Sequence, residues 1–156
     1  MNGLTTKGTV YVTYIAASAE KVWSALTSRE FTTQYFFGRS VESDWKPGSP
    51  WSLRTQDGRI DVKGEVRECD PPHKLVVSWN VEQSGAVLPE CVVTYEIEPV
   101  ADTLVRLTMT EAHPTPIPRE LLEGGRKGWP MILSGLKSLL ETGRPLAIPV
   151  PGPPKG

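Results

Sequence analysis

Few residues of this 156-residue chain could do chemistry. Its two histidines are His73 and His113, and neither has a partner at metal-ligand spacing. No H-E-x-x-H or C-x-x-C occurs, so no metal and no cofactor is expected. There is no G-x-S-x-G elbow, and the run Gly124-Gly125-Arg126-Lys127-Gly128 lacks the spacing of a phosphate loop. Glu111 is the most informative polar residue. It follows Val105, Leu107 and Met109 at period two. If that alternation continues, Glu111 also points inward, and a carboxylate there must be paired, hydrated or protonated. Such a group orients a ligand or moves a proton. If the strand stops at Met109, Glu111 is exposed; both readings stand at this point. Arg54 and Arg106 are possible partners, but alternation puts them on the wet face. His113 lies two residues further on, as a loop residue or a ligand contact, and His73 follows Pro72 in a turn, where solvent takes it.

The elements that must position these groups are a series of strands and one long helical run. The run from Pro118 to Thr142 carries Leu121, Leu122, Trp129, Ile132, Leu133, Leu136, Leu139 and Leu140 at helical spacing. Pro118 suits a helix start and Gly143 a C-cap, with Pro145 beyond. Inside lie Gly124, Gly125, Gly128, Gly135 and Pro130. A glycine costs up to about 1 kcal/mol relative to alanine, and an internal proline kinks or breaks the helix. Either the regular helix begins near Trp129, or the small residues leave room between helix and sheet.

Before this run, Thr9–Ile15 is rich in β-branched and aromatic residues and reads as a strand. Ser18 caps a short helix over 20–26, and a second short helix spans 28–36. From Arg39 the period is two. Val41, Ser43 and Trp45 share one face; Trp51 and Leu53 another; then Ile60, Val62, Gly64 and Val66 oppose Asp61, Lys63, Glu65 and Arg67. Lys46-Pro47-Gly48 reads as a type II turn and Asp57-Gly58 as a hairpin turn. Leu75, Val77, Trp79 and Val81 form the next inner face, 82–89 a loop, and Cys91, Val93, Tyr95 and Ile97 the face after it. Cys69 shares the parity of the charged face and Cys91 is inward, so the two thiols are expected to be unbridged. Residues 1–8 are expected to be frayed, 9–143 to form one domain, and 144–156 to be a mobile proline-rich tail that folding does not need.

The hairpin-linked order predicts an α+β architecture. It is a curved antiparallel sheet of about six or seven strands, with two short helices and the long C-terminal helix over its concave face. Trp51, Trp79, Tyr95 and Trp129 fall on inner faces, and Leu133 and Leu136 share the stripe of Trp129. With Glu111 and His113 they are the candidate ligand-binding residues of an apolar pocket beneath a glycine-interrupted helix. Their other reading is ordinary core.

Composition sets limits on partners. Charged residues make up 22% and the formal net charge is −1, which favours neither nucleic acid nor an anionic membrane surface. The N-terminus has no signal-peptide pattern and no run is long enough to span a bilayer, so a cytoplasmic location is the default.

Three stretches in order carry a family resemblance: VYVTYIAASAEKVWSALTSREF, WKPGSPWSLRTQDGRIDVKGEVRECDPPHKLVVSW and GWPMILSGLKSLLETG. Together they resemble the helix-grip superfamily of lipid-transfer domains, birch-pollen-type allergens and polyketide cyclases. They are most similar to the branch named after the activator of the 90-kDa heat-shock-protein ATPase. Tyr35 stands where that branch often has Trp, Thr110-Glu111-Ala112-His113 replaces its more usual last-strand ending, and the proline-rich tail is additional. The resemblance implies the helix-grip fold with a cavity between sheet and long helix, and it implies no reaction. The leading expectation is binding of a small, largely apolar, lipid-like or aromatic molecule. A chaperone-partner or protein-interaction role and a cyclase or hydratase activity are the alternatives, and a homodimer stays open.

Overall fold

The computed structural model describes residues 4–5, 8–83, 86–87 and 89–147. The chain begins with β1 (Leu4–Thr5), then β2 (Thr9–Ile15), α1 (Ala19–Thr27) and α2 (Arg29–Tyr35). Strands β3 (Ser40–Ser43), β4 (Pro50–Arg54), β5 (Ile60–Asp70) and β6 (Lys74–Gln83) follow as hairpins. After β7 (Ala86–Val87) come β8 (Cys91–Ala101), β9 (Leu104–Ala112), β10 (Ile117–Pro118) and α3 (Arg119–Thr142). The main antiparallel sheet runs β2-β9-β8-β6-β5-β4-β3, with β7 paired to β6. The inner faces of these strands and one face of α3 enclose a single core. This is the expected helix-grip architecture.

Local chemistry explains most boundaries. The Ser18 hydroxyl accepts from the Lys21 N–H at 3.2 Å and caps α1, which buries Val22, Ala25 and Leu26. The Tyr35 hydroxyl donates to the Ala25 carbonyl at 2.7 Å and ties α2 to α1. The turn after β3 is type II: the Ser49 N–H reaches the Lys46 carbonyl at 2.8 Å, with Gly48 at φ +89°. Gly143 ends α3 in the left-handed region, its N–H on the Leu139 carbonyl.

Several expectations need correction. The long helix does not begin near Trp129; it is continuous from Arg119 with Pro118 as N-cap. Pro130 lies on its exposed side, so the bond lost to the Arg126 carbonyl falls where water can replace it. Residues 1–8 are not wholly frayed, because Leu4 and Thr5 pair with Pro118 and Ile117. The loop over 82–89 is shorter than expected, since Glu82 and Gln83 pair with Val87 and Ala86. Trp45 does not extend the strand face of Val41; its backbone is left-handed and its indole donates to the Thr27 carbonyl of α1 at 3.0 Å. The tail expectation falls largely on residues 148–156, outside the described residues.

Cys69 and Cys91 are both free. The reason differs from the expected one. A register shift between Val66 and Glu68 reverses the parity of β5, which turns Cys69 toward the core. What separates the thiols is distance along the sheet. Cys69 sits opposite Leu75 and Cys91 opposite Trp79, four residues apart on β6 and roughly 13 Å at strand spacing. Among the described residues, no helix is long and apolar enough to cross a membrane.

Candidate functional site

Strand β9 keeps its alternation past Met109. Val105, Leu107 and Met109 are buried, and so are Glu111 and His113, with 8% and 7% of their surface exposed. The exposed-carboxylate reading of Glu111 therefore fails. Pairing holds the strand extended this far, because Glu111 lies opposite Thr9 of β2 and Val93 of β8. From the other side, α3 places Trp129 over it, and the indole N–H donates to Glu111 Oε2 at 3.1 Å. Glu111 Oε1 has no hydrogen-bond partner, and neither has Nδ1 or Nε2 of His113. His113 Nε2 stands 3.6 Å from Glu111 Oε1.

Glu111 and His113 both line a cavity of about 690 Å³ between the first half of α3 and the sheet. Trp79, Val81 and Cys91 form its floor and Trp129, Ile132 and the glycines 124, 125 and 128 its helical wall. Phe36 and Phe37 close one side, beside Arg39 and Asp61. Arg39 is bidentate to Asp61, with Nε 3.1 Å from Oδ1 and Nη2 2.6 Å from Oδ2. The glycines have different surroundings. A Cβ on Gly124 or Gly128 would meet nothing within 4 Å, whereas one on Gly125 would lie 3.1 Å from Glu111 Oε1.

Aromatic packing limits the cavity on its inner side. The ring centroids of Trp51 and Trp79 are 4.8 Å apart, and those of Trp79 and Trp129 5.2 Å. Phe36 meets Trp129 edge-on at 5.7 Å, and Tyr95 approaches it at 6.5 Å. Behind this wall only about 20 Å³ is left among Trp51, Trp79, Tyr95, Tyr35 and Leu53, about enough for one water. The candidate residues thus separate. Trp79, Glu111, His113 and Trp129 border the large cavity; Trp51 and Tyr95 face the small void behind the aromatic wall; Leu133 and Leu136 are buried core and border neither.

The reading of the sequence missed Phe36, Phe37, Arg39, Asp61 and Cys91 as lining residues. Cys91 had the right parity for it. Asp61 was assigned to the wet face; its pairing with Arg39, which stands beside it only in the fold, explains its partial burial. A larger depression of about 1,000 Å³ runs along α2, β3 and β4 past Trp45 and Lys63, but it is open. No buried unpartnered side-chain atom among the described residues lies there.

Burial raises the Cys91 thiol to about 12, with the Glu111 charge the second cause and Glu90 the third. The Tyr95 phenol is raised by burial first, then by Cys91 and Glu111. Tyr11, on the inner side of β2, is raised by burial and next by Glu111. None of the three is primed as a nucleophile. Among the described residues, no three His, Cys, Asp or Glu side chains stand close enough to hold a metal.

Comparison with known proteins agrees with this architecture. No curated protein matches the chain. A Mesorhizobium loti protein of solved structure is 24% identical with a TM-score of 0.73, covering 86% of this chain and 96% of its own. CalU16 from Micromonospora echinospora is 22% identical with a TM-score of 0.71, over 93% and 84%. An HSP90 activator from Plasmodium falciparum is 24% identical with a TM-score of 0.64, over 78% and 86%. At such identities the likeness shows the fold. The family model described as activator of Hsp90 ATPase homolog 1-like protein matches residues 16–141, the stretch that builds the main sheet apart from β2, together with α1, α2 and nearly all of α3. The chain belongs to that family.

Proposed function

We propose that this chain binds a small, largely apolar molecule in the cavity beneath α3, in a cytoplasmic setting that suits its two free thiols. One observation carries the reading. A cavity of about 690 Å³, walled by Trp79, Trp129 and Phe36, is also lined by Glu111 and His113, whose side chains carry buried polar atoms without partners. Ligand sites have this volume and this mixture of apolar wall and few converging polar groups. In a core made only for stability, a carboxylate oxygen and two imidazole nitrogens without partners would be a cost with no return. The proposal stops at binding, since a lone carboxylate and imidazole define no reaction by themselves.

The test is native mass spectrometry of the protein purified gently from its own cells, followed by titration with an apolar fluorescent dye. A co-purified molecule of cavity size, or dye binding abolished by Gly128→Leu, supports the proposal. No ligand and no dye uptake would leave a purely structural cavity.

A second reading is partnership with a heat-shock chaperone. The family description and the Plasmodium falciparum activator support it. So does the outer face of β2, where Val10, Val12 and Tyr14 are exposed on an edge strand of the sheet. Chaperone recovered with the purified protein and lost on Val10→Lys and Val12→Lys substitution would favour this reading.

A further inference from the structure

We infer that the ligand carries a protonated amine on an apolar, aromatic-sized body, with its ammonium seated on Glu111 Oε1; this rests on the ligand-binding reading above. The two oxygens of Glu111 are in different positions. Oε2 already accepts from the Trp129 indole, while Oε1 is buried without a hydrogen-bond partner, in a side chain that lines the cavity. A buried carboxylate oxygen needs a donor, and a charged donor satisfies it better than a neutral one.

Among the described residues no lysine or arginine pairs with Oε1, and His113 Nε2 comes nearest, at 3.6 Å. Among the described residues that line the cavity, Arg39 is the sole lysine or arginine, and both faces of its bidentate contact go to Asp61. The lining acids are Asp61, Glu111 and Glu120. With Arg39 paired to Asp61, the cavity keeps an acidic balance. An anionic ligand would bring its charge beside Glu111 without a free lysine or arginine to receive it, and low-dielectric walls would strengthen the repulsion.

The remaining lining suits an ammonium. The rings of Trp79 and Trp129 lie 5.2 Å apart with Phe36 edge-on to Trp129, so the cavity that Glu111 lines also has aromatic walls for an ammonium-bearing body. His113 offers a second contact. Its side chain is 3% exposed, Nε2 is 3.6 Å from Glu111 Oε1, and neither nitrogen has a partner. A neutral imidazole presents one acceptor, which can take another ammonium hydrogen. Gly125 lets α3 pass close over the carboxylate, since a Cβ there would sit 3.1–3.2 Å from both Glu111 oxygens.

Three probes of one shape distinguish the head groups: 2-naphthylmethylamine, 2-naphthylmethanol and 2-naphthoic acid, titrated calorimetrically into the whole protein at pH 7. The amine should bind roughly ten- to a hundred-fold more tightly than the alcohol, as a charge-assisted hydrogen bond predicts, and the acid most weakly. Glu111→Gln should bring the amine down to the level of the alcohol and leave the alcohol nearly unchanged. Equal binding of all three probes, or tightest binding of the acid, would overturn the amine inference while leaving a ligand cavity. Failure of every probe and of the apolar dye would remove both readings. The head-group order in the unmodified protein decides the matter even if the Glu111 variant does not fold.

Discussion

The indole N–H of Trp129 on α3 donates to Glu111 Oε2 on β9 at 3.1 Å, across the gap between helix and sheet. This is the one hydrogen bond made by a buried carboxylate whose other oxygen has none among the described residues. It holds Glu111 in one orientation and anchors the first half of α3 over the cavity. Trp129→Phe keeps most of the ring and removes the donor. The carboxylate is then left unsatisfied, at a cost of about 1–3 kcal/mol. Urea unfolding should show that loss. Glu111→Gln, which keeps an acceptor for the indole, should cost less. A double-mutant cycle between Trp129→Phe and Glu111→Leu, each of which removes one partner, should give a coupling above about 0.5 kcal/mol, and additive effects would mean that the bond contributes nothing.

Gly128 faces the cavity with nothing within 4 Å of an added Cβ. Gly128→Ala should therefore stabilise α3 by up to about 1 kcal/mol through helix propensity alone. Gly128→Leu should change stability little while lowering uptake of an apolar dye. Overpacking of a filled core would instead cost about 1–3 kcal/mol. Chemical denaturation and dye titration on the same samples separate the two cases.

Gly64 is the opposite case. A Cβ there would fall 1.9 Å from the Ser78 carbonyl oxygen and 2.7 Å from Trp51 Nε1, which itself donates to that carbonyl at 2.8 Å. Strand β5 approaches β6 this closely only without a side chain. Gly64→Ala should cost at least about 3 kcal/mol, the upper end of overpacking penalties, and should shift the tryptophan emission. A thermal midpoint unchanged within error would show that the strands separate freely.

Glu141 joins the end of α3 to the chain between β2 and α1. Its Oε2 accepts from Lys137 Nζ at 2.7 Å and from the Ala16 N–H at 2.8 Å. The Lys137 contact first, and the Ala16 N–H second, hold its carboxyl below the usual range. As pH falls, the unfolded chain takes up this proton first, near pH 4.3. The stability from Glu141 is thus full above that value and is lost as pH drops through the lower folded value. Glu141→Gln should flatten the acid limb of a stability–pH curve and leave the curve above pH 6 parallel to that of the parent.

The thiols should react in order. Cys91 is buried and raised to about 12, whereas Cys69 is half-buried and raised more moderately, by burial and then Asp70. A native-state thiol assay should modify Cys69 first and Cys91 only on unfolding. Two thiols should titrate in denaturant without reductant. Finding none there would contradict the separation of the two residues along β6.

What the sequence determined by itself were features held in short windows. Period-two alternation assigned the inner faces of β5, β6, β8 and β9, and extended to Glu111 once the strand was taken to continue. Ser18, Pro47-Gly48 and Gly143 announced a cap, a turn and a helix end, because each acts on hydrogen bonds a few residues away. The tertiary structure decided whatever depended on distant partners. One register shift at Arg67 changed the side of Cys69, which parity cannot foresee. Pairing on both edges carried β9 past Met109 and buried Glu111, and docking on the sheet kept α3 helical through four glycines and Pro130. Parity put Trp51, Tyr95 and Trp79 on inner faces, but only the packing of their rings against Trp129 and Phe36 decided where the interior is filled and where it stays open. Volume is a property of all the side chains that meet at a point, and those five residues come from five different elements or loops.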